Sequence, residues 1–325
     1  MPAPSASLST LRPDLAGSLM EFNLAMRGAG FIANRVAPVF EAATPSGSYG
    51  LIPIEQLLKI GDTKRANGSG YNRGSWTFTK GTFACDEHGW EEPVDDRARR
   101  MYRNYFDAEL IASQRARNMV MQNYEIRVAA LLFNATTFTS YTSAVTTEWS
   151  TGASATPVDD VQTAKSAVRL QCGMRPNALI ICRTVFDNLR QCDQVMDRIA
   201  AQGAGTGIKQ ADVTQALMAQ VFDLEEVIVA EEIKDSALEG QDVSLAEIWD
   251  DEYAMVARIG RNPNDFQDPG VARTIHWSED GSQIGAVIES YRDEAARSDI
   301  IRARMDSDEI VPYVEAGYLL SNITA

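Results

Sequence analysis

The stretch Phe83–Arg100 reads FACDEHGWEEPVDDRARR, and it marks the sharpest change of pattern in the chain. After its proline, a run from Val94 to Phe133 contains neither glycine nor proline. Apolar residues recur in that run at spacings of three, four or seven, the period of a helix face. Asp95 and Asp96 suit the positive end of a helix. We predict a helix over Val94–Phe133, about 60 Å long, as the spine of the fold. The alternative is two helices with a break near Ser113.

The residues before this run predict a long hairpin, Leu51–Cys85, that projects from the rest of the fold. Its centre reads GDTKRANGSGYNRG at Gly61–Gly74 and contains four glycines and almost no apolar residue. Such a composition predicts an exposed, flexible tip. Beyond the tip, Trp76 and Phe78 alternate with threonines, which is a strand pattern.

An arm is predicted towards the N-terminus. Residues 1–11 are rich in Ser, Ala, Pro and Thr, and we expect them to be mobile. Asp14 can cap a short helix that Gly28 ends. Four apolar residues share one face of this helix: Leu15, Leu19, Phe22 and Met26. The apolar stretch Phe31–Ala42 shows no helical period, so we expect an extended arm lying on this chain or on a neighbour.

The chain after the long helix first predicts an α/β unit. Residues 134–157 are rich in Thr and Ser, and we expect a strand and then a loop there. Helices are expected after Asp159 and Asp160, from Thr184 to about Ala200, and from Asp212 to about Val221. They alternate with buried strands at Ala178–Cys182 and Val227–Ala230.

The remainder of the chain predicts strands. The candidates are 247–259, 273–277, 286–290, 298–314 and 316–323. Within 298–314, Ile300, Arg302 and Arg304 alternate with apolar residues. We therefore expect this strand to be covered on one face and wet or paired on the other.

Composition excludes several classes of protein. The chain has 325 residues with 45 acidic and 30 basic side chains, a net charge of -15. A chain this acidic is a poor stand-alone nucleic-acid binder, because that affinity depends on neutralising phosphates. Its apolar runs fall far short of the roughly 20 residues that a membrane span needs, and no apolar signal core is seen at the N-terminus. The four cysteines fit neither zinc pairs nor a disulfide framework, so we expect free thiols.

The sequence carries no recognisable catalytic motif. Cys85-x-x-His88 has no second pair of metal ligands at the expected spacing, and neither H-E-x-x-H nor G-x-S-x-G occurs. The run GAGTG at Gly203–Gly207 lacks the Lys-Ser/Thr ending of a phosphate loop. Acidic clusters at Asp250–Glu252 and Asp306–Glu309 are typical of solvated faces or salt-bridge partners. We predict no catalytic site, no cofactor and no metal.

The order of these parts resembles the major capsid proteins of tailed bacteriophages, the Hong Kong 97-like fold. Phe83–Arg100 looks like the end of the family's extended loop running into its spine helix. The extended ANRVAPVFEA before the loop, and the closing RSDIIRARMDSDEIVPYVEAGYLLSNI, are similar to the family's arm and last strands. The resemblance covers nearly the whole chain and implies an α+β fold.

The resemblance also implies domain bounds. They are an N-terminal arm at 1–48, an extended loop at 49–92, a peripheral domain with the spine helix at 93–158, an α/β axial domain at 159–260, peripheral-domain loop and strands at 261–314, and a closing axial strand at 315–325.

The implied function is structural rather than enzymatic. The chain would form hexamers and pentamers of an icosahedral shell around packaged double-stranded DNA, with a portal and possibly a cement protein. About thirty residues precede Arg35, so we expect a separate scaffolding protein. The implied location is the virion, assembled in the host cytoplasm. Nine residues are predicted to make contacts between subunits: Lys64, Arg65, Tyr71, Arg73, Trp76, Phe78, Arg12, Arg27 and Arg35.

Two other functions compete with this one. An encapsulin-type nanocompartment shares the fold and would enclose a cargo protein. A cytoplasmic α/β enzyme would suit the α/β unit, although the missing catalytic motif and the projecting hairpin speak against it.

Overall fold

The computed structural model describes residues 30–75, 77–102, 107–201, 212–238, 240–262, 268–278 and 287–324. Within those ranges the helices are α1 Ala33–Val36, α2 Ile54–Leu57, α3 Asp96–Tyr102, α4 Ala108–Leu132, α5 Pro157–Cys172, α6 Arg183–Leu189, α7 Asp193–Ile199 and α8 Gln215–Phe222. The strands are β1 Val39–Ala42, β2 Ser46–Leu51, β3 Thr79–Ala84, β4 Asp86–Asp95, β5 Thr142–Ala144, β6 Ala178–Cys182, β7 Glu226–Ala230, β8 Ile233–Asp235, β9 Leu245–Glu247, β10 Tyr253–Ala257, β11 Arg273–Trp277, β12 Val287–Asp293, β13 Ser298–Ile310 and β14 Gly317–Ser321.

The first sheet is built around β13. Strand β4 pairs antiparallel along one edge of β13, while β12 and then β11 pair antiparallel along its other edge. Strand β1 extends the sheet by pairing parallel with β11. The residues Ile301, Ala303 and Met305 are buried, whereas Arg302 and Arg304 are only partly buried. The covered face that we predicted is confirmed, but Ile300 and Asp306 on the opposite face are buried as well.

The second sheet has the strand order β5-β14-β10-β6-β7. Every residue of β6 is buried, as expected for a strand with helices on its faces. Helices α5, α6 and α8 pack against this sheet, and α7 packs on α5 and α8. The predicted α/β unit and the closing strand are therefore confirmed.

Helix α4 joins the two sheets. Its Ala112 packs with Val94 and Ile301 of the first sheet. Near its other end, the Phe133 ring meets the Trp249 ring edge-on at 4.9 Å between centroids, beside the second sheet. The side chains Tyr124, Val128 and Leu132 between these points are fully buried. No helix in the described ranges is long and apolar enough to cross a membrane.

The predicted single helix Val94–Phe133 is wrong at its start. Val94 belongs to β4 and pairs with Asp299. Helix α3 follows, and Asp107 then has an extended backbone and caps α4 by accepting the amides of Glu109 and Leu110. The helix is therefore interrupted at Asp107 rather than near Ser113. The 25 residues of α4 are about 37 Å long.

Four other boundaries differ from the predictions. The helix from Thr184 is two helices, because Cys192 is extended between α6 and α7. The helix expected from Asp212 begins after Thr214, whose hydroxyl accepts the amide of Leu217. The strand 247–259 is two strands, β9 and β10, and β13 ends at Ile310. The predicted helix after Asp14 and the loop at Gly203–Gly207 lie outside the described residues.

Candidate assembly surfaces

The base of the predicted hairpin is a two-stranded ribbon, β2–β3, which begins earlier than expected, at Ser46. Two of its cross-strand pairs set an aromatic side chain against a glycine: Tyr49 with Gly81, and Phe83 with Gly47. The rings occupy the space that a Cβ on either glycine would need. A ring laid over a facing glycine restores contacts that the glycine lacks. Tyr49 and Phe83 also pack on the small core of Ala42, Ile275 and Ile310.

The ribbon is anchored on the first sheet. The amide of Ala84 donates to the Asp308 carboxylate at 2.9 Å, and the Cys85 thiol lies 3.6 Å from the carbonyl of Ile275. A two-stranded ribbon is marginally stable by itself, so these contacts are what hold it in place.

The loop is anchored a second time at α2. Ile54 is buried against Val168 and Cys172 of α5, and the side chain of Leu58 lies close to Gly173. Gly173 has φ +73 and is the left-handed residue that ends α5. Residues 59–78 therefore form an excursion that is held at both ends.

The excursion is exposed along its described length. Within it, the Asn72 side-chain amide donates to the carbonyl of Asp62 at 2.8 Å, and Arg65 donates to the carbonyl of Ser69 at 2.7 Å. At its far end the amide of Thr77 donates to the side-chain oxygen of Gln56 at 2.8 Å. Three large apolar side chains are nevertheless left in solvent, with exposures of 95% for Ile60, 73% for Tyr71 and 68% for Phe78. Large apolar side chains that are exposed on one loop gain free energy when they are covered.

Five of the predicted contact residues lie in the described part of the excursion. Lys64, Arg65, Tyr71, Arg73 and Phe78 are all exposed on the excursion. The guanidinium of Arg65 lies 4.7 Å from the centre of the Tyr71 ring, whereas Lys64 and Arg73 form no ion pair with a described residue.

Arg35 of the arm is engaged within its own chain. Arg35 pairs with Glu226 of its own chain at 2.9 Å, and the two side chains are 54% and 41% exposed. The described part of the arm lies on its own subunit, because β1 pairs with β11. Trp76, Arg12 and Arg27 lie outside the described residues.

A buried carboxylate that sequence reasoning missed fixes the arm. Glu125 on α4 is fully buried and accepts three hydrogen bonds: from the amide of Ile32 at 3.0 Å, the amide of Ala33 at 2.8 Å and the indole of Trp249 at 2.6 Å. Burial raises the pKa of the Glu125 carboxyl, while these three donors oppose the rise. Beside it, Gly30 is so close to the Glu232 side chain that a Cβ there would collide with it.

A second polar layer was also missed, between α4 and the first sheet. Arg127 donates to Glu309 at 2.9 and 3.0 Å and to Ser307 at 3.1 Å. The Tyr124 hydroxyl bonds the Thr274 hydroxyl at 2.6 Å. These residues are far apart in sequence and become neighbours only through the sheet, so no local spacing could have indicated them.

The chain matches known proteins by sequence, although no protein-family model matches it. A major capsid protein of Burkholderia phage BcepMu is 26% identical over 307 residues, which is 91% of this chain and 92% of that protein. A major capsid protein of Pseudomonas phage JBD67 is 23% identical over 238 residues, 72% of this chain and 74% of that protein.

Solved structures match over almost the full length. A phage-related protein from Bordetella bronchiseptica RB50 has a TM-score of 0.66 at 19% identity and covers 97% of both chains. The capsid of cyanophage P-SCSP1u has a TM-score of 0.55 at 12% identity, covering 88% of this chain and 86% of that one.

This chain has the Hong Kong 97-like capsid fold. Together with the two phage relatives, the fold makes it a structural capsid-shell protein and not an enzyme. The encapsulin SrpI of Synechococcus elongatus PCC 7942 shares the fold, with a TM-score of 0.52 at 9% identity over 97% of this chain and 96% of that one. The curated sequence relatives reported above are phage proteins, so they favour a virion component over a nanocompartment.

Ion pairs lie on both faces of the first sheet in this capsid protein. Arg302 pairs with Glu91 at 2.6 Å across β13 and β4. Arg292 pairs with Asp96 at 2.7 Å and Asp299 at 3.1 Å. The hydrogen bonds from Arg292 hold the pKa of the Asp96 carboxyl below its usual range. The acidic cluster 306–309 thus supplies salt-bridge partners, as Arg127–Glu309 and Arg304–Asp306 show.

The thiols and imidazoles of this capsid protein form no reactive centre in the described part of the chain. Burial raises the pKa of Cys85 to about 11 and that of Cys192 to about 11, so both thiols are protonated at neutral pH. Residues in the described ranges form no group of three or more potential metal ligands. The His276 imidazole instead bonds Glu41 at 2.8 Å and joins β11 to the arm.

Proposed function

We propose that this capsid protein is the major shell subunit of a phage head, assembling as hexamers and pentamers into an icosahedral shell around double-stranded DNA. The observation that carries the proposal is the excursion 59–78. It is held at both ends by buried contacts, yet it leaves Ile60, Tyr71 and Phe78 in solvent. A neighbouring subunit in the shell is the surface that would cover them.

The same proposal assigns the domains. Strands β11, β12 and β13 with α4 would form the peripheral domain, at 93–158 and 261–314, and β1 of the arm and β4 of the loop pair into its sheet. Strands β6, β7 and β10 with their helices would form the axial domain, at 159–260, closed by the strand at 315–325 and joined at its edge by β5. The arm and the loop would be 1–48 and 49–92. The two sheets share no strand in the described part of the chain, which supports this division.

Partners follow from the proposed role. A separate scaffolding protein would guide assembly, a portal would occupy one vertex, and a cement protein could bind the finished shell. Assembly would take place in the host cytoplasm and end in the virion. The net charge of -15 suits a shell that does not bind its packaged DNA tightly, because tight binding would require many basic contacts to phosphates.

Electron microscopy of the chain expressed with its scaffolding protein tests the shell. We expect closed polyhedral particles hundreds of ångströms across, because the fold is one that forms shells. Particles from infected cells should contain nuclease-protected DNA, whereas a single enriched protein cargo would support the nanocompartment. Particles of one to a few chains, formed with the scaffold present, would overturn the shell function.

The loop is tested by removing its apolar surface. Ile60→Ser combined with Phe78→Ser should leave the thermal unfolding of unassembled subunits within about 1 °C, because both side chains are exposed and surface changes rarely alter stability. The same variant should reduce particle yield at least tenfold. The control is Asn67→Ser with Thr82→Ser, two exposed polar positions of the same loop. Normal particles of unchanged stability from the Ile60/Phe78 variant would exclude this role for the loop.

A further inference from the structure

The β8–β9 ribbon, residues 233–247, carries large apolar side chains in solvent, as the excursion 59–78 does. Its two strands pair antiparallel, with Asp235 opposite Leu245. The exposed fractions of the side chains are 80% for Leu238, 70% for Val243 and 63% for Leu245. Side chains of this size gain free energy when a partner surface covers them.

The ribbon is held in place by its own subunit. The Asp235 carboxylate accepts the amides of Ala237 and Ser244, both at 2.9 Å, which ties together the two ends of the connection between the strands. At the base, the side-chain amide of Gln122 on α4 donates to the carbonyl of Ile233 at 3.3 Å. A surface fixed in this way needs little ordering when it meets a partner, so less binding free energy is lost.

The ribbon and the excursion carry opposite charge. Residues 231–252 contain nine acidic side chains and one basic side chain. Glu231 pairs with Arg183 at 3.1 Å, but Asp242 is exposed and forms no ion pair with a described residue. The excursion has four basic residues against one acidic residue, in a chain whose net charge is -15. Opposite charge on two surfaces steers their encounter and suppresses wrong pairings.

We propose that the β8–β9 ribbon of one subunit is the surface on which the excursion 59–78 of a second copy of this chain docks. The proposal rests on the proposed shell function and names the neighbouring surface that covers the excursion. The contact lies between chains, because within one chain Ile60 is 95% exposed and Leu238 is 80% exposed, so neither side chain covers the other. Apolar side chains of both surfaces are buried together, and the basic groups of the excursion face the carboxylates of the ribbon.

Two other regions with exposed apolar side chains fit a basic loop less well. Met101 lies in a cleft with four arginines and three carboxylates, so this surface does not attract positive charge. Trp90, Ile288 and Tyr291 lie on the first sheet, where Glu91 and Glu289 already pair with arginines. The ribbon instead combines exposed apolar side chains with a net negative charge.

Photo-cross-linking in assembled particles tests the proposal. The photoreactive residue p-benzoylphenylalanine is placed at position 71 of the full-length chain, where it replaces an exposed tyrosine. Particles are assembled from a mixture of isotopically heavy and light subunits and then irradiated. We expect linked peptides that join residue 71 of one chain to 233–247 of another. They should be at least fivefold more abundant than those from the same photoreactive residue at position 291, an exposed tyrosine on the first sheet.

The outcomes separate this contact from the shell function. Particles whose cross-links from position 71 fall elsewhere on a neighbouring subunit, or do not exceed the control, would overturn the docking surface and leave the shell function standing. Links to 233–247 within the same chain would overturn it as well. If the wild-type chain with its scaffolding protein forms no particles, the shell function is rejected, and this contact with it.

Charge reversal supplies a second measurement. Lys64→Glu with Arg73→Glu should lower particle yield at least fivefold in about 20 mM salt, where attraction between charges is weakly screened. Adding Asp242→Lys should raise the yield of that variant at least threefold, because opposite charges again face each other. The matched control is Asp197→Lys, at an exposed carboxylate on α7, which should restore nothing. Equal recovery from the two lysine variants, or none from Asp242→Lys, would overturn the proposal.

Discussion

Arg127 on α4 and Glu309 on β13 form two parallel hydrogen bonds, of 2.9 and 3.0 Å, across the interface between the long helix and the first sheet. The two side chains are only 25% and 10% exposed. Paired hydrogen bonds between a guanidinium and a carboxylate are among the strong polar contacts of proteins. This pair fixes how α4 sits on the sheet, since Arg127 also holds Ser307.

Arg127→Met should destabilise the unassembled subunit. The Glu309 carboxylate would remain mostly buried without its partner, and we expect a loss of about 2–3 kcal/mol in the free energy of unfolding. Urea denaturation measures the loss. Adding Glu309→Gln should recover at least 1 kcal/mol, because the stranded charge is removed. Arg117→Met, an exposed arginine of the same helix, should change stability by less than about 0.5 kcal/mol. Equal losses at Arg117 and Arg127 would contradict the assignment.

Glu125→Gln should change how stability depends on pH. The pKa of Glu125 is raised in the folded chain, so the folded state keeps this proton to a higher pH than the unfolded state does. The contribution of Glu125 to stability therefore falls as pH rises through the folded pKa. In Glu125→Gln, an NH₂ group replaces one of the carboxylate oxygens that accept hydrogen bonds. Two donors then face each other without an acceptor, which destabilises the fold by roughly 1–3 kcal/mol.

The measurement is urea denaturation of the wild type and Glu125→Gln between pH 5 and pH 8. The wild type should be more stable at pH 5, and its advantage should narrow towards pH 8. Glu87→Gln, at an exposed position on β4, serves as the control. Its difference in unfolding free energy from the wild type should not change with pH. A constant difference for Glu125→Gln over this range would be inconsistent with the raised pKa.

Gly81→Ala should loosen the base of the extended loop. The new Cβ would occupy the place of the Tyr49 ring, and forcing the ring out of its packing costs roughly 1–3 kcal/mol. We expect faster hydrogen exchange in β2 and β3 and quicker proteolysis of the loop. Gly50→Ala lies in the same ribbon, with no atom near the added Cβ, and should leave both rates unchanged. Indistinguishable behaviour of the two variants would exclude the ring-over-glycine contact.

The four thiols should resist modification while the chain is folded. The pKa of Cys85 rises from 9.0 to about 11, which lowers its thiolate fraction at pH 8 about 100-fold. The other three cysteines are buried. A thiol reagent at pH 8 should react with fewer than one thiol per chain over minutes, and with four after denaturation in urea. Rapid reaction of a thiol in the folded chain would show that the environment of Cys85 differs from the one described above.

The sequence predicted the order of the parts better than their boundaries. The alternation of Ile300, Arg302 and Arg304 correctly indicated a strand with one covered face. Asp95 was also correctly predicted to lie at the start of a helix, because its carboxylate accepts hydrogen bonds from the amides of Arg97 and Ala98. The helix nevertheless could not begin at Val94, since that residue is held in β4 by pairing with β13, about 200 positions away.

The polar anchors could not have been predicted from local patterns. Glu125 lies on the buried side of α4, where a glutamate would normally be unfavourable. It is tolerated because Ile32, Ala33 and Trp249 supply donors, and these lie 93, 92 and 124 positions away. The pairing of Tyr49 and Phe83 with glycines on the facing strand was likewise evident only from the register.

The central place of β13 gives the subunit a direction of mechanical stiffness. All ten residues of β4 pair with it antiparallel, and such hydrogen bonds lie perpendicular to the strands. A force along β13 therefore shears the whole ladder at once, while a force across it peels the bonds apart one by one. Under tension along that axis the first sheet therefore resists extension. The stretching would then fall on the excursion 59–78, which has no ladder to resist it.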